Sequence, residues 1–181
     1  MAVSGKKAAQ PIDPQVRMGH VHLKVANLER ALVFYRDVLG FELVQRMGEE
    51  AAFLSAGGYH HHIALNTWES LGGPPPSAGT TGLYHHAIVY PSRPALADAL
   101  RRLIAAGIPL EGAADHGVSE SLYLRDPDGN GVELYCDRPK EMWPRTADGH
   151  LAMFTRRLDL RVLLGELPAS SQPEIGPTRD L

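Results

Sequence analysis

Apolar and polar side chains alternate at the start of the ordered pattern. Val21, Leu23 and Val25 fall on one face, His20, His22 and Lys24 on the other. A period of two marks a half-buried strand. The period then changes. Leu28, Ala31, Leu32, Tyr35 and Leu39 recur at helical spacing behind Asn27, a capping residue type, and Gly40 closes the run. Short apolar-rich segments at 41–45, 52–55 and 61–66, separated by Gly and Glu, predict three more strands. The same order is then written again. Residues 85–89 predict a strand, and 94–106 a helix with Leu96, Leu100, Leu103 and Ile104 on one side. Residues 121–125 and 131–135 predict strands joined by the tight turn 126–130. The second copy's middle strand is least distinct, around 109–113. A βαβββ unit occurring twice sets the fold class at α+β.

The two copies are joined by residues 72–81, rich in Gly and stiffened by Pro74, Pro75 and Pro76. Residues 1–16 predict a flexible lead-in. Residues 141–181 form a C-terminal extension, with an apolar stretch at 153–166 predicting a short helix and a loose end from about 167. The two lysines near the N-terminus precede no apolar stretch, so no secretory signal is expected there. No run of 18 apolar residues suggests a membrane span, and a cytoplasmic location is expected.

Composition narrows the function. At 181 residues with 44% hydrophobic side chains, a packed core is feasible. The net charge of −3 gives no electrostatic case for nucleic acid or an anionic membrane. The single cysteine, Cys136, excludes an internal disulfide and a cysteine-based zinc cluster. Nine histidines stand out against that background and point to metal or acid–base chemistry.

The repeat sorts these histidines. His20 lies five residues before Val25, and His85 five before Tyr90, so both begin the first strand of their copy. Glu133 sits in the last strand on the face opposite Val132 and Leu134. A carboxylate turned into a sheet interior needs a partner. Two His and one Glu make the triad of non-haem iron(II) sites, which leaves positions open for substrate and O₂. Each of these residues taken singly is more readily a hydrogen-bonded strand residue. Their repeat-related positions on one face are what favour His20, His85 and Glu133 as metal ligands. His22 shares the face of His20 and is a candidate supporting residue.

The pattern from His20 to Phe41, the segment 84–88 and the stretch from Asp126 to Tyr135 resemble the vicinal-oxygen-chelate superfamily. That superfamily includes glyoxalase I, fosfomycin-resistance enzymes, bleomycin-binding proteins and extradiol dioxygenases. The resemblance covers residues 17–140, with modules at 17–71 and 82–140, and is nearest to catechol 2,3-dioxygenase-like proteins. It implies two βαβββ modules forming an incomplete barrel around a metal. Glyoxalase I uses a fourth ligand from the last strand of its first module, where repeat alignment places Ala64 here. Alanine binds no metal. By resemblance to the extradiol class, His62 is the acid–base residue and Tyr123, ten residues before Glu133, contacts a substrate oxygen. His116 matches a supporting histidine of that class. His60 and His61 are expected at the rim.

The expected function is a metal-dependent extradiol dioxygenase acting on a catechol-like aromatic with O₂. The divalent metal is expected to be Fe(II), with Mn(II), Zn(II) and Ni(II) as alternatives, and the protein a homodimer. A glyoxalase- or fosfomycin-type lyase or thiol transferase, and a non-catalytic small-molecule-binding protein of the same fold, stay open.

Overall fold

The computed structural model describes residues 10–173. Part of the expected lead-in (1–9) and of the loose C-terminal end (174–181) lies outside the described residues. The first module runs β1 (Val21–Lys24), α1 (Leu28–Leu32), β2 (Glu42–Met47), β3 (Ala51–Ser55) and β4 (Ile63–Asn66). The second runs β5 (His86–Val89), α2 (Arg93–Ala105), β6 (Gly112–Asp115), β7 (Ser119–Arg125) and β8 (Gly131–Asp137). Each module forms an open sheet, ordered β1-β4-β3-β2 in the first and β5-β8-β7-β6 in the second. The outer pairs β1–β4 and β5–β8 are parallel and the remaining pairs antiparallel. The architecture is α+β, with two open mixed sheets rather than a closed barrel.

The Asn27 side chain accepts from the Arg30 amide at 2.9 Å and starts α1, as its position implies. The helix does not continue regularly to residue 39. From Val33 to Val38 it widens into a π-type turn, with the Leu39 amide bonding back to the Phe34 carbonyl at 3.0 Å. The wide turn contains Tyr35, fully buried, whose hydroxyl reaches into the second module. A side chain satisfied so far along the sequence is invisible to local periodicity. In the second module, the middle strand lies at Gly112–Asp115, overlapping the end of the region around 109–113 where it was expected and running two residues past it. Pro109 has no amide to give a ladder, which displaces pairing toward Gly112. Residues 73–85 contain no helix or strand, as the joining segment's composition implies.

One hydrophobic core serves both modules. Leu28, Leu32 and Tyr35 meet Leu96, Leu100 and Leu103 and one face of each sheet. Across the module boundary, Asp128 Oδ1 accepts from the Ala26 amide (2.9 Å) and from Arg30 (2.7 Å), and Asp126 Oδ2 accepts from the Tyr35 hydroxyl (2.9 Å). The C-terminal extension adds β9 (Arg156–Arg157) beside β6 and the short helix α3 (Leu160–Leu164), which packs on α2 through Leu163 and Leu164. Among the described residues, no helix is long and apolar enough to cross a membrane.

Candidate metal centre

Strand parity decides which side chains leave the core. In the first module Leu23, Leu54, Ile63 and Leu65 belong to the core, so their alternates His22, Phe53, Ser55, Ala64 and Asn66 take the other face. In the second, Leu122, Leu124, Val132 and Leu134 are core, and Tyr123 and Glu133 lie opposite. The ladders make the repeat exact at its key position. His22 stands beside Ala64 in the first module, and Ala87 beside Glu133 in the second. Ala64 therefore occupies the position equivalent to Glu133.

The second module brings four of the expected residues together. His85 Nε2 lies 3.0 Å from Glu133 Oε2, a spacing at which both atoms can face one metal ion. The Tyr123 hydroxyl donates to Glu133 Oε1 at 3.0 Å and lies 2.7 Å from His116 Nε2. With the Tyr123 proton on Glu133, His116 donates through Nε2, and its Nδ1 lies 3.1 Å from the Thr155 hydroxyl and 3.2 Å from the Phe154 carbonyl oxygen. The order His116, Tyr123, Glu133, His85 is one connected network. Burial pushes the Tyr123 phenol up, and the neighbouring Glu133 charge adds to that, so it stays a proton donor at neutral pH.

The first module holds a different group. The His20 ring lies 4.4 Å from His61 and 6.5 Å from His60. His61 also meets Phe53 at 5.2 Å. Desolvation, reinforced by His20 and the other nearby imidazoles, pushes the His61 pKa down. His22 Nε2 lies 2.8 Å from Asn66 Nδ2, so this nitrogen accepts from the amide. His62 sits against Ser55 Oγ at 3.1 Å through Nδ1 and beside the Tyr59 ring at 4.9 Å. His86 faces the core beside Tyr35, and burial lowers its pKa.

The expected triad is not gathered within one chain. Among the described residues, no three His, Cys, Asp or Glu side chains are grouped so as to hold a metal ion. His85 and Glu133 suit a divalent cation by type and spacing, and His20 stays with the histidines of its own module. The donor chemistry thus fits a metal at His85 and Glu133, and among the described residues His20 is not grouped with them.

Several contributors carry no sequence signal of their own. Ser55 and Asn66 fix His62 and His22 through cross-strand contacts, and Thr155 reaches His116 from 39 residues away. Gly131 is a steric necessity. A Cβ there would stand 2.0 Å from the Tyr84 carbonyl oxygen and 2.9 Å from the His85 Cβ. Backbone must move to admit it, and the segment displaced is the one carrying His85. Gly131→Ala is therefore expected to weaken metal binding about 10–100-fold, the range typical of a disturbed ligand support. Metal titration followed beside far-UV circular dichroism checks this. Unchanged affinity in a folded variant refutes it.

The model of the Glyoxalase/Bleomycin resistance protein/Dioxygenase superfamily matches residues 17–134. The chain is similar to a catechol-2,3-dioxygenase of Bacillus subtilis (strain 168), with 42% identity over 155 residues, covering 86% of this chain and 53% of that protein. It is also similar to biphenyl-2,3-diol 1,2-dioxygenase 3 of Rhodococcus globerulus, with 37% identity over 67% of this chain and 63% of that protein. The chain thus spans about half the length of the first relative and less than two thirds of the second. Among solved structures, the lactoylglutathione lyase from Agrobacterium tumefaciens superposes with a TM-score of 0.54 at 27% identity, covering 68% of this chain and 96% of that one.

Proposed function

The chain belongs to the Glyoxalase/Bleomycin resistance protein/Dioxygenase superfamily, and from that premise we propose that it is an extradiol dioxygenase opening the ring of a catechol-like aromatic with O₂. The observation that carries this reading is the joined set His85, Glu133, Tyr123 and His116 on the sheet face turned away from the core. His85 and Glu133 would hold the divalent metal, with His20 as the third ligand. We propose Fe(II), with Mn(II), Zn(II) and Ni(II) as alternatives that the same donor types accept. The bound metal would supply Lewis acidity toward both catechol oxygens and toward O₂.

The protein's own groups do the rest. Tyr123 keeps its proton at neutral pH and can donate it in a hydrogen bond to a substrate oxygen beside Glu133. His116 holds that hydroxyl in place at 2.7 Å. His62, with one ring nitrogen against Ser55, has the other free to take a proton from the catechol and return it later. His22, fixed by Asn66, supports the first strand beside His20. Ala64 at the position equivalent to Glu133 speaks against a four-ligand lyase site of the glyoxalase I kind. Domain limits at 17–140, a homodimeric assembly and a cytoplasmic location go with this reading.

The direct test is anaerobic loading with Fe(II), then oxygen uptake and product absorbance over a panel of catechols. Ring cleavage with stoichiometric O₂ consumption is expected, and loaded protein that turns over none of them defeats the proposal. His62→Ala is expected to keep its metal and lose about 10²–10⁴-fold in turnover, the usual worth of a general acid–base group. Turnover equal to wild type would remove His62 from the chemistry.

A further inference from the structure

We infer that the Thr155 hydroxyl, supplied by the C-terminal extension, selects the tautomer of His116 and so directs the Tyr123 proton toward Glu133. The consequence for turnover rests on the dioxygenase reading above; the contact itself does not. Thr155 lies beyond residues 17–134, the part of the chain that matches the superfamily, so that match gives it no role.

The argument starts from one proton and two ring nitrogens. A neutral imidazole carries a proton on one nitrogen and a bare lone pair on the other. His116 Nε2 lies 2.7 Å from the Tyr123 hydroxyl, which also lies 3.0 Å from Glu133 Oε1. If Nε2 carries the proton, it donates to the Tyr123 oxygen and leaves the phenol proton for Glu133. If Nε2 is bare, it takes the phenol proton over the shorter distance, and Glu133 loses its donor. The choice is made at the far side of the ring. There Nδ1 meets the Thr155 hydroxyl at 3.1 Å and the Phe154 carbonyl oxygen at 3.2 Å. The carbonyl can only accept, so alone it would draw the proton to Nδ1. The hydroxyl can donate to a bare Nδ1, and that leaves the proton on Nε2. Thr155 is thus a positioning residue that acts on Tyr123 through His116.

The extension is fastened tightly enough to do this. The Phe154 amide bonds the His116 carbonyl at 3.3 Å, and the Leu158 amide bonds the Ala113 carbonyl at 3.3 Å. Between them β9 pairs with β6, Arg156 beside Asp115 and Arg157 beside Ala114. Gly117, next to His116, leaves no room for movement of the Phe154 ring. A Cβ there would stand 2.6 Å from that ring and 2.9 Å from Pro144. Further along, Leu163 and Leu164 are buried, and Glu166 pairs with Arg93, which also holds the buried Glu120 at 2.7 Å. Residue 155 is therefore held on both sides, with its own side chain exposed and open to substitution.

The test compares Thr155→Val, which keeps the shape and removes the hydroxyl, with Thr155→Ser, which keeps the hydroxyl. Long-range proton–nitrogen NMR correlations of the full-length protein without added metal report which nitrogen of His116 carries the proton. His116→Gln identifies the signals, and about pH 8 keeps an ordinary imidazole neutral. Wild type and Thr155→Ser are expected to show Nε2 protonated and Nδ1 bare, and Thr155→Val the reverse. Circular dichroism checks that all variants are folded. An unchanged tautomer in Thr155→Val overturns the inference, as does a wild-type ring protonated on Nδ1. Thr155→Ser with the Thr155→Val spectrum overturns it as well, because the hydroxyl is then not the cause. With Fe(II) loaded, Thr155→Val is expected to keep its metal and lose about 10–100-fold in kcat, with KM little changed and Thr155→Ser restoring it. A wild-type protein that shows the Nε2-protonated ring and cleaves no catechol overturns the dioxygenase reading alone.

Discussion

Replacing Glu133 by alanine is expected to remove the metal and lower catechol turnover by about a thousandfold or more, with the fold intact. Metal Lewis acidity is worth several kcal/mol of barrier, and each ~1.4 kcal/mol is a factor of ten. The Glu133 carboxylate uses both oxygens, one toward His85 and one toward the Tyr123 hydroxyl, each at 3.0 Å. Alanine therefore removes a ligand and the anchor of Tyr123 in one step. Stability should change by no more than about 1 kcal/mol, because the side chain lies on the face opposite the core and its partners can turn to water. Metal analysis, turnover and thermal melting on the same preparation separate these effects. A variant that keeps its metal would show that the carboxylate is a structural partner of His85 and Tyr123.

Much of this arrangement is written in local pattern. The alternation through Val21, Leu23 and Val25 fixes which way His20 and His22 point, and the alternation of Val132 and Leu134 does the same for Glu133. Because a strand has a period of two, parity alone places these side chains on one face or the other. The same parity shows Ala64 standing where a further carboxylate would be. What parity cannot give is distance between sheets. The run 60–62 illustrates this. His61 precedes β4, outside the ladder, and turns its ring onto His20, while His62 turns to Ser55. The wide turn of α1 has the same origin, since Tyr35 answers to Asp126, 91 residues away. The sequence names His20, His85 and Glu133 as equivalent kinds of residue, and only the packing of the modules separates the first from the other two.

That packing depends on Asp126, and Asp126→Ala is expected to cost about 3–5 kcal/mol of folding stability. The carboxylate is 4% exposed and accepts four hydrogen bonds. They come from the Asp128 amide, the Asn130 amide, the Asn130 side chain and the Tyr35 hydroxyl, each at 2.9 Å. Hydrogen bonds to a charged acceptor are worth about 1.5–3 kcal/mol each, and a buried donor left without a partner carries its own desolvation penalty. The losses do not add fully, because the Asp128 and Asn130 amides belong to one tight turn that can relax as a unit. Tyr35 cannot relax in this way, being fully buried in the wide turn. For a chain of this length each kcal/mol moves the melting temperature by about 2–4 °C, so a fall of roughly 10 °C is expected. Tyr35→Phe should cost less, about 1–2 kcal/mol, since the carboxylate keeps its three donors within the turn. In the double variant the two losses should add to less than their sum, as expected for direct partners. Burial raises the Tyr35 phenol well above its ordinary value, and Asp126 adds to that rise. The unfolded phenol ionises near pH ~10 while the folded one does not. Wild-type stability should therefore decline as pH rises through that point, and Tyr35→Phe should lose that part of the decline. Equal alkaline slopes in the two proteins would mean that the Tyr35–Asp126 contact does not fasten the modules.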